Sequence, residues 1–319
     1  MSCPPCLFDR QLLPKPWGGS SLSSALGILL PDGEKIGESW EVYDGPEGSS
    51  KLRNSDVTLA DLLREDAAAL LGEGVEMTPQ GHFPLQLKFI DASEPLSVQV
   101  HPDQEQATAG GGCGKTESWV VLTASEDARI LRDVKAGVDA AALTAVAGTG
   151  EIQGLLHSFV PRQGDVVHLP PGTIHSVGPG VVLYEIQTNS GLTCRLWDWG
   201  RPREMHIEAA LTALRVEGSQ QSTVTPRPVG EGKELLVDEH EFRLERWYVS
   251  VPVCFEPQDR FRILTVVKGH LALGWRSSGQ CEPLQLRAGD TALVPAHLDA
   301  VYLSPIGDVT LLCVSPGER

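Results

Sequence analysis

Gln99, His101, Glu117 and His175 are four side chains of this 319-residue sequence whose types and spacing could do chemistry together. Two imidazoles and a carboxylate make a divalent-metal set, as fitting for non-haem iron as for zinc. In "PLSVQVHPDQ", residues 95–104, Val98 and Val100 alternate with Ser97, Gln99 and His101. Three polar side chains therefore share one face of a strand, and positions 99 and 101 can reach one centre. Glu117 opens another strand after the Gly-rich turn "GGGCGKTE", and His175 closes "GDVVHLPPGTIH". A single histidine is most often packed or solvated. The joint pattern points to a metal.

The elements that must position these groups are mostly strands. "LQLKFI", "LSVQV", "SWVVLTA", "VVHLP", "VVLYEIQ" and "TCRLWDW" are short β-type runs, and similar runs fill the chain beyond residue 235. Thr58 and Asp61 predict a capped helix over "LADLLREDAAALL" that ends at Gly72. Further helices are expected in "VDAAALTAVAG", "EIQGLLHSF" and "REMHIEAALTAL". The polar, Ser-, Thr-, Gly- and Pro-rich stretch after residue 217 reads as a linker. "RQGDVVHLPPGTIH", residues 162–175, aligns without gaps against "RAGDTALVPAHLDA", residues 287–300, which implies duplicated β-domains. In that alignment His175 falls opposite Ala300, so the second copy lacks a ligand.

Composition narrows the partners. A net charge of −16 argues against nucleic acid or an anionic membrane, while leaving room for a small anion where Lys and Arg gather locally. No apolar run is long enough to span a bilayer, and the first residues lack the apolar core of a signal peptide. Seven cysteines, an odd number scattered along the chain, fit reduced thiols in a cytoplasm. Cys3 and Cys6 form a lone Cys-x-x-Cys with no second pair, read as part of a frayed terminus in preference to metal binding or redox chemistry. His168 reads as packing, and Trp197 and Trp199 as core or wall.

"GDVVHLPPGTIH" resembles the second cupin motif, with Pro179 where that motif often carries Asn. "PWGG…IGESWEVYD", "LKFIDASEPLSVQVHPD", "GKTESWVVL" and "PPGTIHSVGPGVVLYEIQTNSGLTCRLWDWGR" occur in the order seen in type I mannose-6-phosphate isomerases of the short bacterial form. The chain resembles that family from about residue 10 onward. The resemblance implies a mainly β fold of two cupin (jelly-roll) barrels with a few added helices. The expected divisions are a catalytic domain over 1–216, a linker over 217–234 and a metal-free domain over 235–319.

The resemblance also implies one zinc ion per chain, held by Gln99, His101, Glu117 and His175. Arg195 matches the family's catalytic arginine, with Cys194 where Tyr usually precedes it. A guanidinium there could stabilise an enediolate or hold phosphate; an ion pair with Asp198 is the structural alternative. Lys88, Ser97, Trp17 and Glu38 match substrate-site positions. Glu185 and Lys115 match catalytic ones, and Glu185 inside an apolar strand is costly unless paired. Glu185, Lys115 and a metal-bound water all remain candidates for moving the proton. The implied activity is interconversion of mannose 6-phosphate and fructose 6-phosphate through a cis-enediol. Its rivals are isomerisation of another sugar or sugar phosphate, an iron dioxygenase, and a non-catalytic sugar-binding protein. Oligomeric state is not legible in the sequence, and a monomer is compatible with it.

Overall fold

Period-two alternation decides this architecture, because each strand must turn one face to a core and the other to a second layer. The computed structural model describes residues 3–108, 112–216, 222–257, 259–276 and 283–317. A six-stranded antiparallel sheet runs in the order Val166–Leu169, Glu117–Ala124, Val181–Thr188, Leu85–Ala92, Ile36–Val42, Gln11–Gly19. Facing it is a five-stranded sheet of Leu156–Phe159, Ile130–Val134, His175–Val177, Val98–Val100 and Cys194–Trp197. Ile90, Trp119, Val121 and Leu183 from the first sheet share a core with Ile130 and Val177 from the second.

A seven-stranded and a four-stranded sheet form the C-terminal half around their own core, which includes Leu264, Leu271, Leu303 and Leu311. The mainly β class expected from the sequence is what the structure has. The two halves join back to back. Leu87, Phe89 and Tyr184 on the outer face of the six-stranded sheet pack with Leu244, Ile263 and Leu312 of the seven-stranded one. Between them Arg10 lies 3.7 Å from both Glu41 and Asp290, and Arg53 lies 3.0 Å from Asp290.

The internal repeat has a structural counterpart. Gly164 and Gly289 take φ values of 90° and 89°, a region that favours glycine. Their N–H groups donate to the carbonyls of Val121 and Val266 at 2.9 and 2.8 Å. In each copy the Arg backbone N–H donates to the Asp carboxylate three residues on, Arg162 to Asp165 and Arg287 to Asp290. The strands that follow pair alike: Leu169 stands opposite Glu117, and its repeat partner Val294 opposite Arg262. The second copy thus has a guanidinium in the place of the Glu117 carboxylate as well as Ala300 in the place of His175.

The helix Leu59–Leu71 has the expected capping box, with Asp61 N–H donating to Thr58 Oγ1 at 3.2 Å and Thr58 N–H donating to Asp61 Oδ2 at 2.8 Å. Extended backbone at Asp66 (φ −159°) interrupts it. Helices at Ala140–Val146 and Ile207–Ala213 also fall where expected, and they cover the outer face of the five-stranded sheet. The helix expected in residues 151–159 is instead a 3-10 turn, Gly150–Leu155, followed by the strand Leu156–Phe159, whose pairing with Ile130–Val134 overrides local preference. Ser21–Leu26 and Gln104–Thr108 are short helices that the sequence reading did not include.

The linker reading also needs correction. Residues 217–221 lie outside the described residues, but Arg227–Gly230 and Lys233–Asp238 are paired strands at one edge of the seven-stranded sheet. Nor is Cys6 frayed, since it pairs with Leu293 at the other edge of that sheet and is buried.

Candidate active site

The site lies between the six- and five-stranded sheets, and ladder register explains its composition. Residues directly opposite in a ladder share a face, so Gln99, His175 and Arg195 all turn inward, with Gln99 opposite each of the other two. Val98 and Val100 turn outward to pack with Leu143, Leu196 and Ala210. On the facing sheet, Glu185 stands opposite both Lys88 and Trp119, and Trp40 stands opposite Lys88. One continuous row of polar and aromatic side chains therefore lines the cleft, while the alternate residues Leu87 and Tyr184 build the interface behind it.

His101, Glu117 and His175 are buried at the floor, their ligand atoms all within 4.8 Å of one another. His101 Nε2 is 3.3 Å from one Glu117 oxygen and His175 Nε2 is 3.0 Å from the other. His101 Nδ1 lies 2.8 Å from the Leu192 carbonyl, and His175 Nδ1 lies 2.9 Å from the Thr173 carbonyl. A carbonyl can only accept, so each Nδ1 carries the proton and each Nε2 presents a lone pair. Gly172, at φ 84°, ties the Pro-Gly turn to the His101 carbonyl through a 2.8 Å bond, which holds the two histidine segments together.

The residues fit a divalent metal. Two imidazole lone pairs face a carboxylate whose oxygens are buried without a well-formed hydrogen bond, an arrangement of acceptor against acceptor that a cation resolves. Burial, then the Lys115 cation, push His101 down to about 4, so it is the neutral ligand form at pH 7. Burial alone would raise Glu117, but the Lys115 cation at 3.0 Å outweighs it and holds the carboxyl well below its usual range. Gln99 Nε2 lies 3.5 and 3.1 Å from the two histidine Nε2 atoms, and its Oε1 accepts from Ser97 Oγ at 2.9 Å. Gln99 can join the ligands once its amide turns over; Ser97 Oγ can then accept from the amide nitrogen.

Above this floor is a cleft of about 680 Å³, lined by Lys15, Trp17, Glu38, Lys88, Ser97, Gln99, Lys115, Glu185, Arg195 and Arg203, among others. Lys88 Nζ is 2.9 Å from Glu185 and 3.9 Å from Glu38. Trp119 donates to Glu185 at 2.8 Å and Trp40 to Glu38 at 2.7 Å. Burial would lower Lys88, yet Glu185 and Glu38 outweigh it and raise its pKa. For Glu185 burial wins over Lys88, and its carboxyl is raised above the ordinary range. Glu38, whose burial is outweighed by Lys88, Lys15 and the Trp40 hydrogen bond, is lowered.

Arg195 differs from these lysines. Asp198, its alternative partner, is taken by Arg203 at 2.5 Å and Arg201 at 3.2 Å. Among the described residues no carboxylate lies within ion-pair distance of Arg195, and its Nε is buried without a hydrogen bond. The structural alternative for Arg195 therefore fails, and its guanidinium faces the cleft without a carboxylate partner.

All eleven site residues singled out in the sequence line the cleft or form its floor. Two cations were missed. Lys15 lies 3.7 Å from Glu38, and Arg203 stacks over Trp17 at 5.0 Å. Their signal was present in "PKPWGG" and "WGRPRE", basic residues beside the site tryptophan and Asp198. His168 does more than pack, since its Nδ1 lies 2.9 Å from Ser118 Oγ and its Nε2 lies 3.0 Å from Glu239 of the C-terminal half.

A buried His–His–carboxylate set that could hold a metal ion lies beneath a cleft lined with lysine and arginine. Residues 7–134 match the family described as phosphomannose isomerase type I, catalytic domain. The chain is 31% identical to mannose-6-phosphate isomerase of Streptococcus mutans over 98% of this chain and 99% of that protein. It is 29% identical to mannose-6-phosphate isomerase ManA of Bacillus subtilis over 93% and 95%. A crystal structure of the mannose 6-phosphate isomerase from Bacillus subtilis superposes with a TM-score of 0.86 at 27% identity, covering 98% of this chain and 99% of that one. The chain belongs to the type I phosphomannose isomerase family.

Proposed function

We propose that this chain is a zinc-dependent aldose–ketose isomerase that interconverts mannose 6-phosphate and fructose 6-phosphate through a cis-enediol. The observation that carries the reading is the unpaired Arg195 guanidinium in the same cleft as the His101–Glu117–His175 set. A zinc ion held by those three residues and Gln99 would supply a Lewis acid that polarises a substrate oxygen.

The chain's own side chains do the rest. Arg195, fixed in charge and not spent on a carboxylate, stabilises negative charge on the enediolate oxygens or the phosphate. Glu185 carries the proton between carbons 1 and 2. Burial raises its pKa above the ordinary carboxyl value while Lys88 opposes the rise, a direction that favours a group that must return a proton as well as take one. Lys115 balances the charge of Glu117 at 3.0 Å and adds to the local positive potential. Lys88, Ser97, Trp17 and Glu38 form the walls that seat the sugar phosphate. The division into a catalytic half over 1–216 and a metal-free half over 235–319 belongs to the same proposal, with Arg262 and Ala300 in the degenerate ligand positions.

Turnover in deuterated water tests the enediol. Deuterium should enter carbon 1 of fructose 6-phosphate on one face, through exchange at Glu185 before the proton returns. No solvent deuterium at carbon 1, together with complete intramolecular transfer of the label from substrate deuterated at carbon 2, would point to a hydride shift or a fully shielded proton and remove the enediol's main support.

A further inference from the structure

Cys3 and Cys6 stand apart from the cleft, and the isomerase reading leaves them unexplained. Their Sγ atoms are 3.5 Å apart, and both approach the Pro4 carbonyl, at 3.4 and 3.2 Å. Pro4 and Pro5 fix the backbone between them, so the turn that brings sulfur to sulfur is built into the chain. Among the described cysteines, Cys3, Cys6, Cys113, Cys194, Cys254 and Cys313, these are the two thiols in contact.

The two sulfurs are unequal. Cys6 is 3% exposed and anchored, its strand paired with Ala292 and Leu293 of the seven-stranded sheet. Cys3 is partly exposed. Both line an open cavity of about 550 Å³ together with Leu52, Leu62, Leu70 and Glu65, which gives a small molecule access to the pair. The hydrogen bond from Cys6 lowers Cys3 towards thiolate, and the same bond with burial raises Cys6.

We propose that Cys3 and Cys6 form a redox-modification site, a dithiol that closes to a disulfide by exchange with a small-molecule disulfide of the glutathione type. The Cys3 thiolate attacks one sulfur of the reagent, forming a mixed disulfide and releasing one thiolate. Cys6 then attacks Cys3 Sγ, its proton passes to solvent, and the second reagent thiolate leaves. The dithiol loses two electrons and the reagent disulfide gains them, ending as two thiols. Cys3 is the attacking sulfur and Cys6 the resolving one.

The full-length protein incubated with oxidised glutathione, alkylated, digested and weighed tests this assignment. The peptide spanning residues 1–10 should become lighter by two hydrogens and retain no glutathione. Cys6→Ser should trap one glutathione on Cys3, Cys3→Ser should leave Cys6 an alkylatable thiol, and isomerase turnover should be unchanged in both. The proposal is overturned if both thiols of the unsubstituted protein stay alkylatable. It is overturned equally if glutathione persists on Cys3 with Cys6 intact, or if both thiols are blocked without loss of hydrogen, as a bound metal would do.

Discussion

His175 and Gln99 face each other directly across an antiparallel ladder, with Gln99 Nε2 3.1 Å from His175 Nε2, and Gln99 is also the ladder partner of Arg195. The register of one short strand, Val98–Val100, therefore sets the candidate metal ligands and the unpaired guanidinium relative to each other. A slip of one residue would turn Gln99 and His101 to the helical side and bring Val98 and Val100 into the cleft. The apolar contacts of those valines with Leu143, Leu196 and Ala210 oppose that slip, so core packing on one face fixes the chemistry on the other.

Metal content should follow the first repeat alone. Elemental analysis should return about one equivalent per chain, because Arg262 and Ala300 replace Glu117 and His175 in the second copy. His101→Ala and His175→Ala should each lose metal and turnover together. Two tightly held ions per chain would contradict the degenerate-copy account.

Arg195→Ala should keep metal and fold while turnover falls by roughly 10²-fold or more, the usual scale for removing a charge-stabilising donor. Its guanidinium anchors no described carboxylate, so little stability is at stake. Near-normal turnover in that variant would remove Arg195 from the reaction.

Lys88→Ala leaves Glu185 and Glu38 buried without their common cation. Both carboxyl pKa values should rise, so the acid limb of the pH–rate profile should move to higher pH as Glu185 holds its proton longer. Mannose 6-phosphate should also be weakened more than mannose, by about tenfold to a hundredfold if Lys88 contacts phosphate as well. An unshifted acid limb would show that Glu185 does not carry the proton.

The site was far more legible in the sequence than the packing around it. Gln99, Glu117, Lys88 and Glu185 lie on strands and His101 directly follows one, and alternation of side chains states which of them share a face. The resemblance supplied what alternation could not, namely that strands far apart in sequence meet at one centre. Lys15 and Arg203 escaped notice because a basic residue belongs to a cleft only through what it stacks on, here Trp17 and Trp40. The strand Leu156–Phe159 and the edge strand Cys6–Leu7 exist through their partners, Ile130–Val134 and Thr291–Val294, and short segments of that kind carry little local signal.

Glu41 should make stability fall with rising pH. Burial raises its carboxyl to about 7 against the opposing pull of Arg10, the Ser39 hydrogen bond and Arg53, with Asp290 adding to the rise. Between the ordinary carboxyl range and pH 7 the folded chain holds a proton there that the unfolded chain has released, so stability is lost as pH rises through that window. Glu41→Gln should flatten the dependence by an amount on the order of a few kcal/mol between pH 5 and 8, read from urea unfolding at each pH. A variant with the slope of the unsubstituted protein would show that Glu41 is ionised in the fold.

Metal-dependent interconversion of the two sugar phosphates can be read in a coupled isomerase assay on mannose 6-phosphate, run before and after chelation. The loaded protein should form fructose 6-phosphate, the chelated protein should lose that activity while staying folded, and added zinc should restore it. Undiminished turnover in protein shown by elemental analysis to be metal-free, or no fructose 6-phosphate from the zinc-loaded protein, would contradict the account.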